Sequence, residues 1–198
     1  MLCPVVSGIL GGRGAGVRMR VCNAEVYFSE EAVLRVDGAA IEALKAAALA
    51  NPSGKARLCA HHGPEESLHE MIIVHGARTY VRPHKHLGRT ESFHIIEGNC
   101  DVLLFDDGGA IVEVVEMGPF GSGRVGYYRL ADPCFHALLV RSEQVVFHET
   151  TQGPFRPEDA AFAAWAPDLA DSAAVERFMA RVAAAADTLL TTRHQELQ

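Results

Sequence analysis

Between Arg57 and Thr151 the chain is cut into short apolar runs rich in β-branched and aromatic residues, each closed by a turn cluster. Met71–Val74, Glu91–Glu97, Asp101–Phe105, Ala110–Met117, His136–Arg141 and Gln144–Thr150 are all of strand length. Their separators, such as Glu97-Gly98-Asn99 and Asp106-Asp107-Gly108-Gly109, carry the residues that turns require. Many short strands at this spacing specify a β-sandwich or a barrel. Asp107-Gly108 between two apolar runs is a hairpin signal.

Helical patterns flank this region. Residues 29–50 read as a helix, with Ser29 as N-cap and Glu30 and Glu31 in the first turn, where the helix dipole favours negative charge. Asp37-Gly38 offers an alternative start, with the helix running from Ala39. Residues 171–190 read as a last helix capped by Asp171 or Ser172, with Val175, Phe178, Met179, Val182 and Leu189 toward one side. Residues 153–168 read as an ordered strap in which Trp165 is a packing anchor. The expected organisation is a disordered tail or over-long start at 1–18, an N-terminal helical segment at 19–56, the β-region at 57–168 and a C-terminal helix at 169–198.

With 198 residues the chain can bury one full core. Its net charge of −7 gives no basic footprint for nucleic acid, and no apolar run is long enough to span a membrane. Its five cysteines are odd in number and show no C-x-x-C spacing, which argues against a disulfide framework and a thiolate zinc site. Reduced thiols in a cytoplasmic protein are the expectation.

The chemistry concentrates in Pro83-His84-Lys85-His86-Leu87-Gly88-Arg89-Thr90-Glu91. Alternate residues of a strand share a face, so His84 and His86 point the same way. The glycine-containing stretch Leu87–Thr90 turns the chain and lets Glu91 meet both imidazoles from the next strand. His136 follows Pro133 and shares a face with Leu138 and Val140, so it points where core residues point. Imidazoles and a carboxylate together suit one divalent transition metal: iron, manganese, zinc or nickel.

The pattern H-x-H-x4-E-x6-G from His84 to Gly98 resembles the first cupin motif, and Pro133-Cys134-Phe135-His136 part of the second. Over roughly residues 57–168 the chain resembles the WbuC-type cupin-fold metalloproteins. That likeness is carried by Arg57-Leu-Cys-Ala-His61-His62, Tyr80-Val-Arg-Pro-His84-Lys-His86, Glu91 to Gly98, Val146 to Phe155 and Phe162 to Pro167. The resemblance implies a mainly β fold, a cupin antiparallel β-barrel of the double-stranded β-helix or jelly-roll kind, holding a metal with His84, His86, Glu91 and His136. It also implies a homodimer and, for some members, a link to surface polysaccharide synthesis.

Arg57, His61, Arg82 and Arg129 are the candidates for binding an anionic or sugar-like small molecule, since arginine presents a planar fork to carboxylate or phosphate. The resemblance places His61 or His62, with Arg57, near the barrel mouth. Tyr80 and Glu97 are the candidate catalytic groups. Glu97 shares parity with Glu91 and is expected to face inward. His94 is expected on the opposite face, His69 in a turn or helical segment, and His75 in a loop. Three function classes follow: a metal-dependent isomerase, epimerase or oxygenase on a small acidic or sugar-like metabolite, a non-catalytic binding or sensing module, and a structural metal site closed by further protein ligands such as His94 or His148.

Overall fold

The computed structural model describes residues 6–10 and 16–196. It is mainly β, with one helix before and one after the central strands. One sheet of eight strands runs in the order β1 (Val6–Leu10), β2 (Val17–Val21), β3 (Val26–Ser29), β4 (Lys55–Cys59), β5 (Leu68–Gly76), β12 (Gln144–Gln152), β7 (Glu91–Glu97), β10 (Tyr127–Leu130). A second sheet of five runs β13 (Ala160–Phe162), β6 (His84–His86), β11 (Phe135–Val140), β8 (Cys100–Phe105), β9 (Ile111–Met117). The two sheets face one another in a jelly-roll arrangement, and an isolated parallel bridge links Met117 of β9 to Val125.

Strand alternation sorts the apolar residues into layers. Phe93, Ile95, Cys100, Val102, Leu138, Val140, Val145 and Phe147 fill the space between the sheets. The opposite faces are covered by the helices. α1 (Gly38–Ala50) lays Ala40, Ile41, Leu44 and Ala48 over Leu58, Val74 and Val146. α2 (Ser172–Glu196) lays Phe178, Val182 and Ala186 over Leu103, Phe105 and Leu139. β11 and β8 are therefore buried on both faces. Full burial of side chains such as Leu44 or Phe147 is worth roughly 1.5–3 kcal/mol each.

α1 begins at Gly38 with Asp37 as its cap, the carboxylate accepting from Ala40 N at 2.9 Å. This is the later of the two expected starts. Ser29 instead ends β3. α2 is capped by Asp171, which accepts from Ala174 N at 2.9 Å. The expected tail at 1–18 is partly corrected. Val6–Leu10 and Val17–Val21 pair as antiparallel strands, with Leu10, Val17 and Met19 packed against α1 and its sheet. Residues 1–5 and 11–15 lie outside the described residues. Cys59, Cys100 and Cys134 are free, but Cys22 is disulfide-bonded, which corrects the expectation of reduced thiols throughout. Among the described residues no helix is long and apolar enough to cross a membrane.

The strap is ordered as expected. Arg89 holds it, donating to the Gln152 carbonyl at 3.1 Å, to the Pro154 carbonyl and to Asp159. Its strand β13 adds to the edge of β6. Trp165 packs on Phe105, Phe135 and Phe178 and donates its indole N–H to the Asp107 carbonyl at 3.1 Å.

Gly98 turns β7 into β8 at a φ of +73°, and a Cβ there would lie 2.2 Å from the Gln144 carbonyl oxygen. Gly98→Ala is expected to cost about 3 kcal/mol or more in urea unfolding, because both the left-handed backbone and the space demand glycine.

Candidate metal centre

β6 lies between β11 and β13, so that His84 pairs with His136 on one side and with Phe162 on the other. This register brings the three expected imidazoles together. The ring centroids of His84 and His136 are 4.5 Å apart, those of His84 and His86 4.9 Å, and those of His86 and His136 5.4 Å. One ring nitrogen of each lies within 4.8 Å of the others.

Backbone carbonyls orient two of the rings. His84 Nδ1 is 2.9 Å from the Arg82 carbonyl, and His136 Nδ1 is 2.9 Å from the Cys134 carbonyl. A carbonyl only accepts, so each Nδ1 carries a proton and each Nε2 is left for another partner. This is the usual way a protein fixes the tautomer of a metal-binding histidine.

Glu91 opens β7 and is 3 % exposed. Its Oε2 is 3.0 Å from His86 Nε2, and its Oε1 is 3.0 Å from His136 Nε2. The second contact is close but misaligned, so Glu91 Oε1 and His136 Nε2 are buried polar atoms without a hydrogen-bond partner. Such atoms cost about 1–3 kcal/mol each when left unpaired. A divalent cation held by these donors would satisfy both, and three imidazoles with one carboxylate suit iron, manganese, zinc or nickel.

Electrostatics agree. Burial disfavours the charged form of Glu91, but the adjacent His136 and His86 outweigh it and hold the carboxyl well below its usual range. Burial, then the neighbouring His136, pushes His84 down to about 4, keeping it in the neutral form that binds metals. Burial opposes charge on His136 too, but contact with Glu91 wins and its pKa is raised. A proton and a metal ion compete for the gap between Glu91 and His136, so affinity for a metal falls as pH drops.

The four side chains line a cavity of about 480 Å³ that runs between the sheets. Arg57, His61 and Arg82 also line it. His61 stacks on His69 with ring centroids 4.1 Å apart, and Arg82 pairs with Asp168 at 2.9 Å. His62 turns away, its ring nitrogen 2.9 Å from the Ser29 carbonyl. Tyr80 reaches the cavity, but its hydroxyl donates to the Pro167 carbonyl at 3.0 Å and burial pushes its pKa up to about 12.

Two expected residues are not brought to the cavity. Glu97 is displaced by a bulge. Between Val146 and Phe147 the register of β12 against β7 shifts, so Glu97 pairs with Val146 on the outer face, and its carboxylate meets Lys45 of α1 at 3.0 Å. Arg129 alternates with the inward-facing Tyr128 and is exposed. His94 is exposed as expected, its ring against Phe120. His69 and His75 are corrected: both lie on β5 and line the cavity.

Several ionisable cavity residues were not singled out as site candidates from the sequence, Lys55, His75 and Glu149 among them. The signal was present as alternation, since Glu149 shares parity with Val145 and Phe147, and Lys55 with Arg57 and Cys59. Glu149 is flanked across the sheet by Met71 and Phe93. Burial in these surroundings, then the charge of Glu91, raises its pKa well above the ordinary carboxylate range.

Residues 36–117 match a domain of unknown function, DUF6016. No curated protein matches. Among solved structures, protein SO0799 from Shewanella oneidensis is similar with a TM-score of 0.45 and 8% identity, covering 57% of this chain and 75% of that one. Oxalate decarboxylase from Bacillus subtilis gives 0.42 and 16%, covering 55% and 27%. The DMSP lyase DddQ from Ruegeria pomeroyi gives 0.41 and 18%, covering 55% and 51%. The chain thus spans about a quarter of the decarboxylase and half of the lyase. What fold and site themselves define is a jelly-roll protein with an internal three-histidine cluster.

His61 and His75 give a test of the cavity's interior. Burial pushes them down to about 4 and about 3. Each binds a proton near pH 6.5 when unfolded but not when folded, so stability present above pH 6.5 is lost as pH falls toward those values. His75→Phe should flatten that fall by one proton, about 1.4 kcal/mol per pH unit, in urea titrations at stepped pH.

Proposed function

We propose that this protein is a metal-binding cupin of the WbuC type, a metal-dependent enzyme on a small acidic or sugar-like metabolite. The observation that carries the reading is the pair of orphaned buried atoms, Glu91 Oε1 and His136 Nε2, set beside His84 and His86 on a cavity wall. The Bacillus subtilis oxalate decarboxylase, one of the similar structures, has Mn(II) centres. An ion held by His84, His86, Glu91 and His136 would polarise a substrate oxygen as a Lewis acid or present an activated one. The chain's own part is to shape and dry the cavity, to bind the substrate through Arg57 and Arg82, and to hold a proton on Glu149. Isomerase, epimerase and oxygenase chemistry all use such parts, and a role beside surface polysaccharide synthesis fits a sugar-like substrate. A homodimer belongs to the same reading, with exposed Tyr127 on the edge strand β10 as a surface for pairing.

A second reading, a binding or sensing module without turnover, is favoured by one fact. Tyr80 and Glu97, the two expected catalytic groups, are engaged by Pro167 and Lys45. Glu149→Gln separates the two: an enzyme loses turnover with its metal retained, whereas a binding module keeps its ligand affinity.

Elemental analysis of untagged protein tests the centre itself. Near one divalent transition metal per chain is expected in the wild type, and a sharp loss in His136→Ala. Glu91→Gln, which keeps volume, should weaken metal affinity by at least roughly tenfold. A wild type that takes up no metal, even after anaerobic loading, would overturn the reading.

A further inference from the structure

β4 presents Lys55 and Arg57 to the cavity from alternate positions. Neither makes an ion pair or a side-chain hydrogen bond among the described residues; Glu25 acts on Lys55 only through its charge. The acids of the cavity make no direct pair with them. Glu91 lies between His86 and His136, Asp159 is paired with Arg89, and Glu149 makes no ion pair with either cation. Burial lowers the pKa of Lys55, with the neighbouring Arg57 adding to the effect and the carboxylate of Glu25 opposing it only in part. His75 pairs with Lys55 across β4 and β5 and leaves its buried Nδ1 without a partner. Two cations and a free imidazole nitrogen thus line one part of the wall.

We propose that Lys55 and Arg57 form a subsite for an oxyanion group, carboxylate or phosphate, on a ligand whose other end reaches the histidine–Glu91 centre. The proposal deepens the metal-dependent reading above and rests on it. Distances along the sheet allow it. Glu91 is opposite Thr151, and Thr151 opposite His69, while Arg57 is opposite Ile73. His69 and Ile73 are four residues apart on β5, roughly 13 Å at the rise of a strand. An extended arginine and a metabolite of a few carbon atoms together span that gap. The guanidinium fork sets the orientation of the oxyanion, and the ammonium of Lys55 adds charge. The acidic class of substrate then follows from the wall itself, where two basic side chains without an ion pair, Arg57 exposed and Lys55 half-buried, offer an oxyanion a partner that a neutral ligand does not use.

The test is calorimetric titration of metal-loaded protein at low ionic strength with inorganic phosphate, with succinate and with neutral glycerol. Saturable binding of at least one of the two anions, and none of glycerol, is expected. Lys55→Gln and Arg57→Gln should each weaken it tenfold or more, with Arg177→Gln on the exposed face of α2 as the unchanged control. Circular dichroism checks that the variants fold. No saturable anion binding, or equal affinity in both variants and wild type, overturns the proposal. His84→Ala separates the two readings. Anion binding that survives loss of the metal supports the subsite as a separate element. Anion binding lost there but intact in the Lys55 and Arg57 variants puts the anion on the metal and overturns it. A wild type without metal that still binds anions through Lys55 and Arg57 keeps the subsite and removes the metal reading.

Discussion

The carboxylate of Glu91 is the constraint around which the site is arranged. It is almost wholly buried between two imidazoles, yet one of its oxygens and the facing nitrogen of His136 have no hydrogen-bond partner. A fold does not keep a charge in such a place unless something balances it. The surrounding strands supply the balance through position. β7 brings Glu91, β6 brings His84 and His86, and the pairing of β6 with β11 sets His136 beside His84. Carbonyls of Arg82 and Cys134 then turn two rings so that their remaining nitrogens face inward.

The rest of the molecule makes this interior hold. α1 and α2 pack on the outer faces of the two sheets, and of the strands bearing the ligands β11 is buried on both sides. The buried Asp101 of β8 accepts from Arg141, which also meets Asp187 of α2 at 2.6 Å, so the second helix is tied to the sheet by charge as well as by packing. The strap clamped by Arg89 extends the second sheet at β6, and its Phe162 lies beside His84. Packing outside and polarity inside are two sides of the same strands.

Within the cavity, charge is distributed unevenly. The histidine cluster and Glu91 sit in one region, and Lys55, Arg57 and His75 in another, with Glu149 in the rows between them. A ligand that answers to both regions carries a metal-binding oxygen at one end and an oxyanion at the other. The exposed aromatic and aliphatic residues Phe155, Phe162 and Leu169 line the same cavity, so the ligand meets an apolar surface on its way in.

Local rules made part of this protein legible in its sequence. The two-residue period of a strand aligned His84 with His86 and sent His94 outward, a turn that admits only glycine marked Gly98, and the alternation of His136 with Leu138 pointed it inward. Those features depend on a few neighbouring residues, so the chain carries them wherever it goes. Tertiary structure decided the rest. The bulge opposite Val146 and Phe147 sent Glu97 to Lys45, a change that depends on the partner strand. Arg129 and Lys55 are both cations on short strands, and only the pairing of sheets left one exposed and the other lining the cavity. The burial that shifts Glu149 and His75 comes from residues far along the chain, because desolvation is a property of the closed interior and not of any segment.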